Sequence, residues 1–352
     1  MAEMSTNLTH HEVTYTYSDN YHKKIHYLAS GPATGPLIIF VHGWPGSAIT
    51  WKWQLEFFAA RGFRAIAPDM PGYGRSTARH VASDYSQESL VEGAMMALLA
   101  HTGRTAAIWV GHDWGAGVTS SVATQHPETV RALVNLCVPF GTIERGWAGF
   151  LPLVNRERYP AAEYEYGQWD YMKKFEEDFE DTVAWFERDI PGFLKLAMQP
   201  TPRPPEDHDR VEPMMSRVRR AGWLFGSEKP PGVDEVAGEP LGSGILFDTF
   251  VGDVLATGIW PGAAYYLNHE RNAAYNGGDE KRKQLTMPVL FVHAAWDLVC
   301  DTVTSRLAEP MRAACCDLTE ETIEAGHAVH LEQPDVLNAA VLRFLAGKLE
   351  GR

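Results

Sequence analysis

Two hydrophobic periods organise the chain. Val13 to Tyr17 and Lys24 to Leu28 alternate apolar and polar residues around Ser18-Asp19-Asn20, which predicts an antiparallel hairpin. Leu37 to Val41 and Phe63 to Ala67 are short unbroken apolar runs, the pattern of strands buried on both faces. Between them, Trp51 to Ala60 reads as a helix. Glu88 to His101 carries the apolar stripe of an amphipathic helix. Thr105 to Val110 predicts another buried strand, Gly117 to Gln125 a helix of small residues stopped by Pro127, and Ala132 to Val138 a further strand. Strands alternating with helices predict an α/β architecture with a mostly parallel, doubly wound sheet.

The pattern changes after Phe140. Aromatic and charged residues mix from Trp147 to about Gly258, and Tyr164 to Phe186 reads as acidic and helical. Pro200 to Asp209 and Lys229 to Gly242 are rich in Pro and Gly and read as long loops. The alternation returns with a strand over Pro288 to Ala294, a last short strand at Thr322 to Glu324, and a final helix from Val336 to Leu349. The expected organisation is a core in two parts, residues 1–140 and 261–352, interrupted by a helical cap over 141–260, with the junction near 261–285. There are no internal repeats.

Composition narrows the function classes. A chain of 352 residues with 45% hydrophobic residues has ample material for a large core. The net charge of −14 argues against nucleic acid and anionic membrane surfaces as partners. No stretch approaches the length of a membrane span, and Met1 to His11 shows no apolar signal region. Cys137, Cys300, Cys315 and Cys316 do not form a disulfide framework, so a reduced, cytoplasmic setting is expected. Asn7-Leu8-Thr9 matches a glycosylation site by chance. Gly72-Tyr73-Gly74 lacks the third glycine of a dinucleotide loop and reads as a turn. No cofactor or metal is expected, and a homo-oligomer is left open.

Gly111-His112-Asp113-Trp114-Gly115-Ala116 carries the chemistry. Strand, sharp turn and helix, with small residues flanking the turn, is the nucleophile elbow of α/β-hydrolases, here with Asp113 where Ser usually stands. A carboxylate attacking an ester gains nothing, because the resulting anhydride is no easier to hydrolyse. It can attack an sp3 carbon bearing a leaving group and form an alkyl ester. The elbow therefore restricts the reaction to displacement at carbon, by opening an epoxide or expelling a halide.

The ester must then be hydrolysed, and His is suited to activate the water. Gly326-His327, after the last expected strand, places His327 in that role, with His330 as its rival. His293 lies within an apolar strand and reads as a core residue. Asp297 follows the strand before it and is the acid expected to orient the imidazole, with Asp301 as the alternative. The order Asp113, Asp297, His327 is the nucleophile–acid–base order of this fold class. His42-Gly43-Trp44-Pro45 follows the first parallel strand, where a loop amide helps form an oxyanion hole. The amides of Trp44 and Trp114 are the expected donors.

Taken together, HGWPGS, DMPGYGRS, GHDWGA, the Trp-Asp at 296–297 and Gly326-His327 resemble, in order and over about residues 12–350, the epoxide hydrolases of the α/β-hydrolase fold. Haloalkane dehalogenases share several of these motifs. The resemblance implies two cap tyrosines that hydrogen-bond the epoxide oxygen. Tyr171 falls in Trp169-Asp170-Tyr171-Met172-Lys173-Lys174-Phe175-Glu176-Glu177, and Tyr266 in Tyr265-Tyr266-Leu267-Asn268-His269-Glu270-Arg271-Asn272. Leu267 departs from the family's Arg, and the family's Gln-x-Pro-Gly stretch is absent. Tyr164 and Tyr166 are the fallbacks for the first position. The resemblance implies an epoxide substrate, and the aromatic cap suggests an apolar one. A dehalogenase would need halide donors, which Trp114 with Trp169 or Trp185 could supply. A ligand-binding protein without activity is the remaining alternative.

Overall fold

The computed structural model of the protein describes residues 8–203, 214–277 and 284–349. Asn7 and residues 204–209 of the first Pro-rich loop lie outside them. Eight strands form one sheet: β1 (Thr9–Tyr15), β2 (Lys23–Ser30), β3 (Leu37–Val41), β4 (Arg64–Pro68), β5 (Ala107–His112), β6 (Val130–Leu136), β7 (Leu285–Ala294) and β8 (Cys315–Ile323). Their order is β1-β2-β4-β3-β5-β6-β7-β8. The expected hairpin pairs Val13 with Ile25, and β2 also runs antiparallel to β4. All other neighbours are parallel, with Ile39 opposite Trp109 and Val134 opposite Leu290.

The continuous apolar runs follow from burial on both faces. Leu37, Ile39 and Val41 of β3 face one core layer, while Ile38 and Phe40 face the other. On the second face, Phe40 packs against Trp51 and Phe58 from the helix region over 48–59. The final helix, Pro334–Leu349, covers the same face through Leu337, Val341 and Phe344.

Four expectations change. The last strand is not Thr322–Glu324 but the longer Cys315–Ile323. It is the sheet's edge, its side chains are mostly half-exposed, and it carries Asp317, Glu320 and Glu321, so no apolar run reveals it. The strand before it starts at Leu285, ahead of Pro288, where its register with β8 shifts. The acidic helix expected over Tyr164–Phe186 is two helices, Asp170–Glu177 and Phe179–Glu187, broken at Asp178. The elbow helix starts at Trp114 rather than Gly117, immediately after the turn.

Between β6 and β7 the described residues form helices, turns and loops, with no strand. Lys229 to Gly242 is a loop, as expected, with one short 3-10 turn at Val233–Glu235. The aromatic core of this insertion is continuous with the layer under β3 and β5. It closes over the carboxyl ends of the parallel strands, where open α/β sheets bind their ligands. No helix among the described residues is long and apolar enough to cross a membrane.

Candidate active site

β5 ends at His112, and the chain turns at Asp113 with φ 53° and ψ −124°, left-handed backbone that an L-residue rarely adopts. The turn needs close approach of the backbones around it: a Cβ at Gly115 would run into the carbonyl oxygen of Val41. The strained turn lifts the Asp113 carboxylate off the sheet edge, where it is 5% exposed. One of its oxygens, Oδ1, accepts the Trp44 backbone N–H at 2.7 Å. The Trp114 amide lies beside the carboxylate and helps to lower its pKa. The other oxygen, Oδ2, lies 3.6 Å from His327 Nε2.

His327 sits after β8, behind Gly326. A side chain at Gly326 would collide with Thr201, so the turn closes only around glycine. Glu332 accepts the Gly326 amide at 2.9 Å and the Thr201 hydroxyl at 3.0 Å, tying this turn to the insertion. On the far side of the ring, His327 Nδ1 meets Asp297 Oδ2 at 2.8 Å. Asp297 is itself held by the Val299 and Cys300 amides, which donate to its Oδ1 at 2.8 and 2.9 Å.

The electrostatics follow. Burial pushes both carboxyls up, but the His327 contacts and the backbone amides outweigh it, so Asp113 and Asp297 stay below the ordinary carboxylate range. Burial lowers His327, yet Asp297 and Asp113 outweigh that and hold its pKa well above the usual histidine value.

The alternatives are engaged elsewhere. Asp301 accepts the Val303 and Thr304 amides and the Thr304 hydroxyl. His330 packs its ring on Trp51 and His112, each at 4.5 Å between centroids. His293 is a satisfied core residue, bonded to Thr302 at 2.8 Å and Glu320 at 3.0 Å.

His42 accepts the Met70 amide at Nε2 and donates from Nδ1 to the Gly43 carbonyl, which shapes the loop that presents Trp44 and the cis Trp44-Pro45 bond. Gly43 lies directly against Asp113.

The insertion supplies the opposite wall. Tyr171, on the helix Asp170–Glu177, and Tyr266, in the turn Ala264–Asn268, are buried with rings 5.9 Å apart. Phe175 stacks on Tyr266 at 4.5 Å, and Trp114 meets it edge-on at 5.1 Å. Burial above all pushes both phenols far above their ordinary pKa, followed by the Asp113 charge for Tyr171 and by Tyr171 and then Asp113 for Tyr266, so both are neutral. Tyr164 instead accepts from Arg217, and Tyr166 packs on Trp147. The indoles of Trp169 and Trp185 donate to the carbonyls of Val299 and Ser227.

A cavity of about 530 Å3 joins these groups: Asp113, His327, Tyr171 and Tyr266 all line it, beside Phe186, Phe193 and Trp223. Sequence reasoning missed these last three as lining residues, because their spacing is also that of ordinary core. It also missed His112 and Cys137, which both donate to the His327 backbone oxygen, at 2.7 and 3.2 Å. Burial, with the neighbouring His327, lowers His112 to about 4, so it stays neutral. His112, Cys137 and His327 are close enough to suggest a metal cluster, but those two bonds already occupy the His112 and Cys137 donor atoms.

Comparison with known proteins agrees with this geometry. The family model described as alpha/beta hydrolase fold matches residues 36–187. Epoxide hydrolase A of Mycobacterium tuberculosis is 29% identical over 341 residues, covering 92% of this chain and 94% of that protein. The bifunctional epoxide hydrolase 2 of Sus scrofa is 28% identical over 92% of this chain but 53% of its own length. Among solved structures, an epoxide hydrolase from an endophytic Streptomyces superposes with a TM-score of 0.74 at 25% identity, covering 97% of this chain and 96% of that one. The chain has the α/β-hydrolase fold, and these relatives, which it resembles over nearly its whole length, are named epoxide hydrolases.

Proposed function

We propose that the protein is an epoxide hydrolase, opening an epoxide to a vicinal diol through a covalent ester on Asp113. The observation that carries this reading is the pair of buried, neutral, neighbouring phenols facing Asp113 across one cavity. The Trp44 amide engages Asp113 Oδ1, so Oδ2 is the nucleophile. Oδ2 forms a bond to one epoxide carbon as that carbon's bond to oxygen breaks. The electron pair goes to the epoxide oxygen, which takes hydrogen bonds and a proton from Tyr171 and Tyr266.

Alkylation neutralises Asp113 and removes one of the two anions that hold His327 protonated. The His327 pKa falls, its proton passes through water to the phenolate left by ring opening, and the imidazole is neutral when a base is needed. His327, oriented by Asp297, then takes a proton from water as the hydroxide adds to the ester carbonyl. The oxyanion forms on Oδ1, already seated on the Trp44 amide and next to that of Trp114. Collapse expels the diol as its alkoxide, which takes the proton from His327, and the carboxylic acid left on Asp113 then gives its proton to His327, restoring the resting ion pair. None of these steps draws on a cofactor. Halide expulsion is less well served, since the Trp169 and Trp185 indoles are spent on backbone carbonyls.

The test is His327→Gln treated with styrene oxide and followed by intact-mass spectrometry. An adduct of one epoxide, mapping to the Asp113 peptide, is the expected outcome. An unmodified variant that still consumes epoxide would point to direct attack by water. Halide release from haloalkanes by the parent, with epoxides ignored, would replace this reading by the dehalogenase.

A further inference from the structure

The Asp113–Tyr171 pair separates two cavities of very unequal size. The large one, about 530 Å3, lies on the side of His327, Tyr266 and the aromatic insertion. A second, of about 20 Å3, opens on the other side of the same pair, and both cavities share Asp113, Tyr171 and Val299. Ile143, Phe150, Met172 and Leu307 enclose the small cavity. Phe150, Met172 and Leu307 are 2%, 3% and 1% exposed. Of its remaining polar neighbours, the Trp169 indole donates to Val299 and the Thr142 hydroxyl donates to the Pro139 carbonyl, and the buried Cys300 thiol completes the lining.

An epoxide poised between Asp113 and Tyr171 directs the substituents of its two carbons to opposite sides of that pair. Benzene fits a cavity of about 150 Å3, and a single water or methyl needs roughly 10–30 Å3. The large chamber accepts an aromatic arm with room to spare, and the small one accepts a hydrogen or a methyl. Enlarging it would mean displacing well-packed core side chains, which interiors resist.

We propose that this protein selects one-armed epoxides. The substrate carries a single bulky apolar substituent, seated in the aromatic chamber, and its other epoxide carbon bears nothing larger than methyl. Met172 and Leu307 set that limit. The proposal rests on the epoxide hydrolase reading and narrows its substrate class.

The test is a panel of three oxides that differ only in the second arm: styrene oxide, trans-1-phenylpropylene oxide and trans-stilbene oxide. The first two should have kcat/KM values within about tenfold of each other, and stilbene oxide should fall at least 100-fold below them. Leu307→Ala and Met172→Ala, made separately in case one folds poorly, should each raise the ratio of stilbene oxide to styrene oxide kcat/KM at least tenfold. Phe193→Ala, which enlarges only the large chamber, should leave that ratio low. Stilbene oxide turned over by the parent as well as styrene oxide would overturn the proposal while leaving the hydrolase reading intact. An unmoved ratio in both folded variants would overturn the assignment of Met172 and Leu307. Silence toward all three oxides would remove the hydrolase reading and this proposal with it.

Discussion

The two walls of the cavity hold their reactive groups by different means. On the sheet side, backbone positions Asp113, Asp297 and His327: the Trp44 amide on Asp113, the Val299 and Cys300 amides on Asp297, and His112 and Cys137 on the carbonyl of His327. On the insertion side, ring packing positions the phenols, with Tyr266 stacked on Phe175 and edge-on to Trp114. Charges need directional bonds because an unsolvated charge without them is costly. Neutral phenols need only a shaped apolar pocket and one partner. Damage to the sheet wall should therefore stop the reaction, whereas loss of a single phenol on the insertion wall should slow it.

The largest effect is expected at Asp113, the proposed nucleophile. Asp113→Asn keeps the shape and removes the anion, so turnover in freshly prepared protein should fall by roughly 10^4-fold or more, as for loss of a catalytic nucleophile. The same variant should lower the His327 pKa, since one of its two anions is gone. NMR titration of the imidazole measures this, and an unchanged pKa would mean that Asp113 does not govern the protonation of His327.

A smaller effect is expected across the cavity. Tyr171→Phe and Tyr266→Phe each remove one hydrogen bond to a developing charge, about 1.5–3 kcal/mol, and should each slow alkylation roughly 10-fold or more. The double variant should lose nearly all ring opening. Hydrolysis of an ester already formed should change little, because it depends on His327 and Asp297. Single-turnover kinetics separate the two steps. Parental ring opening in the double variant would contradict the division between the walls.

The smallest effect tests the seam between them. Asp253, on the insertion helix Ile245–Thr257, accepts the Ser47 hydroxyl at 2.9 Å, just beyond the Trp44 loop. Burial first, and then the Asp69 charge, push its pKa from 3.8 to about 6. The folded protein thus holds this proton more tightly than the unfolded chain, and stability declines as pH rises from about 3.8 to about 6. Asp253→Asn should add about 1–2 kcal/mol at pH 7, with the gain vanishing below pH ~4. Denaturant unfolding at the two pH values measures it. A gain of equal size at both would show that the charge is not responsible.

How much of this was legible in the sequence depended on whether a choice was local. The elbow could be read because a sharp turn between strand and helix tolerates only small neighbours, and Gly111, Gly115 and Ala116 surround Asp113. Asp297 and Asp301 could not be separated with certainty. Each accepts backbone amides two and three residues ahead, so the local motif is the same. Only the position of β7 beside β8 turns Asp297 toward His327. The edge strand β8 was mostly illegible, because a half-solvated edge has no hydrophobic run to betray it.

By itself the sequence determined the two-faced burial of the parallel strands, the order of the chemical groups along the chain and the restriction of an Asp elbow to displacement at carbon. These depend on side-chain period and on the reactivity of a carboxylate, and both are present before folding. Tertiary structure decided which of several tyrosines meet, how the aromatic residues divide between core and cavity wall, and that one side of Asp113 holds about 530 Å3 while the other holds about 20 Å3. Those outcomes depend on packing between residues far apart in the chain, such as Tyr171 with Tyr266 and Met172 with Leu307, and no local pattern encodes the distance between them.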